Sequence, residues 1–144
     1  MNKKYKIGYT TGVFDLFHIG HLNILKRAKE QCDYLIVGVS TDELVQNYKH
    51  KTPVIPFEER KEIVNAIKYV DEVYTQESMD KFAAWEKLHF NAIFHGDDWK
   101  NSDLYIENEK KLHSVGVETV YFPYTKNTSS TMIKQVLEER KKEK

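Results

Sequence analysis

The sequence predicts an α/β fold, a doubly wound and mostly parallel five-stranded sheet with helices on both faces. Two observations carry that prediction. Short apolar runs alternate with longer amphipathic ones along the whole chain, the βαβ rhythm of a parallel sheet. One of the short runs, Tyr34–Ser40 (YLIVGVS), is apolar and β-rich without alternation, as in a strand buried on both faces.

In order, Lys6–Thr11 reads as the first strand. Ile19–Gln31 places Leu22, Leu25 and Ala28 at helical spacing and reads as the first helix. Tyr34–Ser40 is the second strand. Pro56–Tyr69 predicts a helix with Ile63, Ala66, Ile67 and Val70 on one stripe, and Glu72–Tyr74 predicts a short strand. Ser78–Leu88 predicts a helix capped by Ser78, with acidic Asp80 in its first turn. Ala92–His95 is the fourth strand. Ile106–Ser114 is a helix that stops near Gly116, Val117–Phe122 is the last strand, and Ser129–Arg140 is the last helix. The run 138–144 (EERKKEK) reads as its solvated, fraying end.

The 144 residues suit one domain, 1–144, with one core. Apolar residues make up 40%, enough for a globular fold, and no run is long enough to span a bilayer. The 22 basic residues balance the 22 acidic ones, which argues against broad nucleic-acid binding but leaves room for a local phosphate pocket. Cys32 is the one cysteine, so no intrachain disulfide forms and nothing points to an oxidising compartment. The basic, polar start and the short, interrupted apolar run after it do not make a signal peptide. The expected location is cytoplasmic.

Four segments are candidates for chemistry. Thr11–His21 (TGVFDLFHIGH) links the first strand to the first helix. Gly12 and Gly20 allow close backbone approach, and His18 and His21, three apart, share one helix face. A helix start offers free N–H groups and partial positive charge, which suits a phosphate chain, and two imidazoles there supply further donors. Histidines at such a position also cap helices, and a pair on one face also ligates zinc if a third ligand such as His95, Asp97 or Asp98 joins it. His95–Trp99 (HGDDW) follows the fourth strand; Gly96 permits a tight turn, and Asp97 or Asp98 can accept from a ribose hydroxyl or a base amino group, although Gly-Asp is also an ordinary turn. In Tyr124–Thr131 (YTKNTSST), Ser129, Ser130 and Thr131 can cap the last helix and hold phosphates at once. In the loop Asn47–Pro53, Lys49 and Lys51 are flexible point charges within reach of phosphates, or simply a solvated basic pair, and Arg60 follows on the next helix, facing the site or pairing with nearby glutamates.

Together these segments resemble the cytidylyltransferase family of the H-x-G-H nucleotidyltransferases, and in particular its small bacterial glycerol-phosphate members. The pattern G-x-F-D-x-x-H-x-G-H is matched by Gly12, Phe14, Asp15, His18, Gly20 and His21. Further matches are STDE at Ser40–Glu43, Glu59–Arg60, YVDEV at Tyr69–Val73 and GDDW at Gly96–Trp99. The resemblance implies a Rossmann-like fold forming one nucleotidyltransferase domain, a homodimer, and a Mg²⁺-dependent reaction of CTP with a phosphorylated alcohol, without direct ligation of the metal by the protein. It implies that His18, His21 and Lys51 act on the triphosphate. Nucleotide contacts fall on Gly12, Val13, Phe14, Gly20, Gly96, Asp98, Tyr124, Thr125, Ser129, Ser130 and Thr131, and acceptor contacts on Lys49, Lys81, Asp15 and Arg60. The last motif departs from the family's R-T-E-G-I-S-T-T: Tyr124, Lys126 and Asn127 stand where arginine, glutamate and glycine are the rule.

Such a reaction asks little of side chains. A phosphate monoester with a second pKa near ~6 is largely a dianion at neutral pH and needs no general base. In-line placement and charge stabilisation are what remain. Other acceptors, such as ethanolamine phosphate, choline phosphate or a capsule-precursor phosphate, share this chemistry. Adenylyl transfer from ATP uses the same histidine motif, and a nucleotide-binding module that has lost catalysis would also keep it.

Overall fold

The computed structural model describes residues 4–96, 103–122 and 130–142. Five strands form one parallel sheet: β1 (Tyr5–Gly12), β2 (Cys32–Ser40), β3 (Glu72–Gln76), β4 (Ala92–Gly96) and β5 (Glu118–Phe122), in the spatial order β3-β2-β1-β4-β5. The helices between and after them are α1 (Ile19–Gln31), α2 (Asp42–Lys49), α3 (Phe57–Asn65), α4 (Lys81–Leu88), α5 (Asp103–His113) and α6 (Ser130–Lys142). The predicted fold class holds, with the sheet parallel throughout.

Side-chain alternation along each strand sorts the core into two layers. Leu35, Val37 and Val39 of β2 and Phe94 of β4 pack with Leu25 and Ala28 of α1 and Val64 of α3. Tyr9, Ile36 and Ile93 point the other way, onto Ala84 of α4 and Leu112 of α5. Sheet faces covered by helices on both sides explain the unbroken apolar run: Leu35 to Ser40 are all buried.

Several boundaries differ from the sequence expectation for local reasons. Helix α2 was not expected. Thr41 caps it, its Oγ1 accepting from Leu44 N at 3.1 Å, with Asp42 and Glu43 in the first turn. Helix α3 stops at Asn65 rather than Tyr69, because the chain tightens into i→i+3 turns (Ile67 N to Val64 O, Val70 N to Ile67 O) while Ile67 and Val70 still reach the core. The cap of α4 is Asp80, whose Oδ1 accepts from Phe82 N at 3.0 Å and Ala83 N at 3.2 Å; Ser78 instead accepts from Asp80 N. Helix α6 continues to Lys142, with Gln135 to Arg140 exposed.

Chain order reverses direction between β1 and β4, where ligands of such sheets bind beyond the carboxyl ends of the strands. The β1–β4 ladder ends at Thr10↔Phe94, and the Thr10 hydroxyl donates to the Phe94 carbonyl at 2.9 Å. Thr11 and Gly12 pair only with β2. The two strands therefore part at the point where each leads into a candidate loop.

Candidate active site

The loop after β1 is built around two histidines that cap a helix together. His18 is the N-cap of α1, and its Nδ1 accepts the Gly20 N–H at 3.0 Å. His21 reaches back, its Nδ1 accepting the His18 N–H at 3.2 Å. The pair is a reciprocal capping box made from imidazoles. Their rings stack with centroids 4.0 Å apart, and His21 is wedged against Phe14 and Phe17.

This geometry sets the chemistry of both rings. A nitrogen that accepts a hydrogen bond carries no proton, so in the neutral ring the proton sits on Nε2. Burial, helped by the neighbouring His18, lowers the His21 pKa to about 4, against a small upward pull from Asp15. Burial also lowers His18. Both rings are neutral at pH 7, each with one Nε2–H donor. The His18 Nε2 is buried and has no hydrogen-bond partner, a donor without an acceptor beside a helix start.

Asp15 stands between two residues in the left-handed region, Phe14 (φ 56°) and Leu16 (φ 51°), a backbone costing on the order of 1–3 kcal/mol per residue. What holds it is the carboxylate, which accepts from Val54 N at 2.8 Å and Ile55 N at 2.9 Å and pairs with Lys134 at 3.4 Å. Burial pushes the Asp15 carboxyl up, but the two backbone donors and the lysine outweigh it and hold it below its ordinary value. Asp15, expected at the acceptor, thus ties the histidine loop to the loop after α2. Gly12 does permit a close approach, though by the Phe14 ring: a Cβ there would stand 3.1 Å from it.

Arg60, also expected at the acceptor, is fully buried. Its Nε donates to Ile55 O, its Nη1 to Val13 O and Ser40 O, and its Nη2 to Asp42 at 2.6 Å. With these acceptors around it, the guanidinium braces the loops after β1, β2 and α2 and does not face the site. Lys81 differs in another way. Asp80 starts α4 directly before it, and the side chain folds under the helix, 2% exposed, with Nζ donating to Gln76 Oε1 at 3.1 Å. Burial lowers its pKa to about 7 despite Asp80.

Lys49 and Lys51 are exposed on the segment that Asp15 pins, with Lys49 over the Tyr48 ring. His50, left-handed at φ 56°, ends α2 and turns the chain between them. Gly96 ends β4 at the reversal point. Ser130 and Thr131 open α6. Asp98, Tyr124, Thr125 and Ser129 lie outside the described residues. His95, one of the third zinc ligands weighed above, lies within β4 and lines a small cavity with Lys81, Asn108 and Thr119; Asp97, another, lies outside the described residues. Burial and Lys81 lower its pKa to about 3. Among the described residues no three His, Cys, Asp or Glu come together to hold a metal ion.

The model of the cytidylyltransferase-like family matches residues 9–136, from mid-β1 into α6. The chain belongs to that family. It is 37% identical over 133 residues to a glycerol-3-phosphate cytidylyltransferase of Bacillus subtilis, covering 88% of this chain and 92% of the relative. It is 39% identical over 134 residues to an FAD synthase of Pyrococcus abyssi, covering 88% and 89%. Its fold superposes with a TM-score of 0.71 on a lipopolysaccharide core biosynthesis protein of Thermoplasma volcanium, at 26% identity over 86% of this chain and 99% of the other. As a family member the chain is a nucleotidyltransferase, and its histidine loop lies within the matched residues. Among the described residues no helix is long and apolar enough to cross a membrane.

Sequence reasoning missed Lys134 and the bracing roles of Asp15 and Arg60. A signal for α2 was present: Ser-Thr-Asp-Glu at Ser40–Glu43 is a cap followed by two acids.

Proposed function

We propose that this chain transfers a cytidylyl group from CTP to a small phosphorylated alcohol, with glycerol phosphate the leading acceptor, forming a CDP-alcohol and pyrophosphate. One observation carries most of it: a buried, partnerless His18 Nε2 at the start of α1, beside a second ring held in the same tautomer. Two fixed N–H donors at a helix start favour a phosphate chain over a metal ion, because a metal needs the lone pair that a protonated Nε2 lacks.

In this mechanism an oxygen of the acceptor phosphate attacks the α-phosphorus in line. The bond to the bridging α–β oxygen breaks, and pyrophosphate leaves. His18 and His21 donate to the oxygens on which charge grows, and they do so without reorganising, since their Nδ1 bonds already fix the rings. Lys49, at the end of α2, and Lys51, in the loop that follows, contribute positive charge. Mg²⁺ bound to the triphosphate oxygens would neutralise leaving-group charge, as that ion is commonly held mainly by substrate phosphates and water. The donor set here is suited to phosphate and leaves the ion to the nucleotide. Gly96, Asp98, Tyr124, Thr125, Ser129, Ser130 and Thr131 are assigned to the nucleotide on the family pattern. A cytoplasmic homodimer supplying a cell-wall or capsule precursor completes the proposal, on family resemblance alone.

The FAD synthase relative favours a second reading, adenylyl transfer. GDDW and STDE support cytidylyl transfer instead. Pyrophosphate release measured with each nucleoside triphosphate against glycerol, ethanolamine and choline phosphates and FMN separates the two. Release with CTP and glycerol phosphate is the expected result; turnover confined to ATP would overturn the proposal.

A further inference from the structure

The ion pair between Lys134 and Asp15 joins the two helix starts that the function needs. Lys134 begins the second turn of α6, and its Nζ lies 3.4 Å from Asp15 Oδ2. Asp15 lies three residues before the N-cap His18 and is 5% exposed, while the Lys134 side chain is 43% exposed. The same carboxylate accepts from Val54 and Ile55 in the loop that carries Lys51. One buried carboxylate therefore collects the histidine loop, the lysine loop and the last helix.

We propose that Lys134 is a positioning residue whose pair with Asp15 fixes the first turn of α6 against the His18–His21 loop, so that a nucleotide meets both helix starts in register. The proposal rests on the nucleotide reading above. It differs from a phosphate contact by Lys134 itself, because the lysine acts through Asp15. Val54 and Ile55 also donate to Asp15, so loss of Lys134 removes the ion pair to α6 and leaves the contacts to the lysine loop in place.

A double-mutant cycle on nucleotide KM and kcat tests it. Lys134→Ala should raise KM for the nucleoside triphosphate by about fivefold with kcat within about twofold, the scale of a half-exposed ion pair. Lys134→Arg should restore KM. Asp15→Asn with Lys134→Ala should be no worse than Asp15→Asn alone, because both changes break one link. Additive effects would mean that Lys134 meets the phosphates directly and would overturn the proposal, as would an unchanged KM in Lys134→Ala. Amide hydrogen exchange on the protein without nucleotide gives an independent answer. In Lys134→Ala, exchange should quicken in 14–17 and 130–134 and stay unchanged in Leu35–Val39 of β2. Unaltered exchange at both loop and helix would overturn the link even if the wild type turns over no CTP, whereas failure with CTP alone would count only against the proposed function.

Discussion

The His18 backbone N–H donates to Nδ1 of His21 at 3.2 Å, while the His18 ring caps the same helix through its own Nδ1. Helix capping and the proposed phosphate contact, which look like competing explanations of two histidines near a helix start, fall on opposite edges of the same rings: capping uses Nδ1, and a phosphate would meet Nε2. Capping through Nδ1 is what forces the proton onto Nε2.

That division is testable at His18. Asparagine places an amide oxygen near the Nδ1 position and so keeps the cap, but it has nothing at Nε2. His18→Asn should fold with near wild-type stability and lose about 10²-fold or more in kcat, the scale of one lost transition-state donor. His18→Ala should lose a similar factor in rate and, in addition, about 1 kcal/mol of stability with the cap. His21→Ala should also lose about 10²-fold or more in turnover. Near-normal turnover in folded His18→Asn would remove His18 from the chemistry.

Gly12 offers a second check on the loop. A methyl group there would press on the Phe14 ring at 3.1 Å, and Phe14 already occupies a left-handed backbone. Gly12→Ala should cost about 1–3 kcal/mol by overpacking and should disturb the His21 wedge, lowering kcat. Thermal unfolding and turnover on the same preparation would show it; an unperturbed variant would mean that the ring has room to yield.

Much of this was legible in sequence because the decisive signals are local. The parallel sheet with helices on both faces follows from alternation of element types, and the histidine loop follows from six residues at fixed spacing. What sequence did not yield depends on contacts between distant segments. Arg60 carries no mark that separates a brace from a ligand; only the arrival of Val13, Ser40 and Ile55 carbonyls around it does so. Lys81 reads as a flexible cation until Asp80, rather than Ser78, starts α4 and turns the side chain inward. Lys134 was hidden in a charged helix whose partner lies 119 positions earlier in the chain, too far for any spacing rule.

Arg60→Ala should therefore behave as a structural lesion. Three backbone carbonyls and Asp42 would lose their donors, and a buried side-chain volume would empty. A loss of about 3 kcal/mol or more is expected from chemical denaturation. Arg60→Lys should recover little, since an ammonium cannot span acceptors placed for a planar fork. If Arg60→Ala keeps its stability and raises only the acceptor KM, the side chain contacts the acceptor after all.

Lys81 gives a pH signature that separates burial from surface charge. Its pKa falls from the ordinary 10.5 to about 7 because burial penalises the ammonium. Above pH 7 the unfolded chain then holds a proton that the folded chain has released, so raising the pH favours the folded state. Stability should increase from pH 7 to about 9, before tyrosines with raised pKa values such as Tyr9 begin to oppose it in more alkaline solution. Lys81→Met keeps the stem without the charge and should flatten that rise. Denaturation curves at pH 7, 8 and 9 for both proteins suffice, and equal slopes would place the Lys81 ammonium in water.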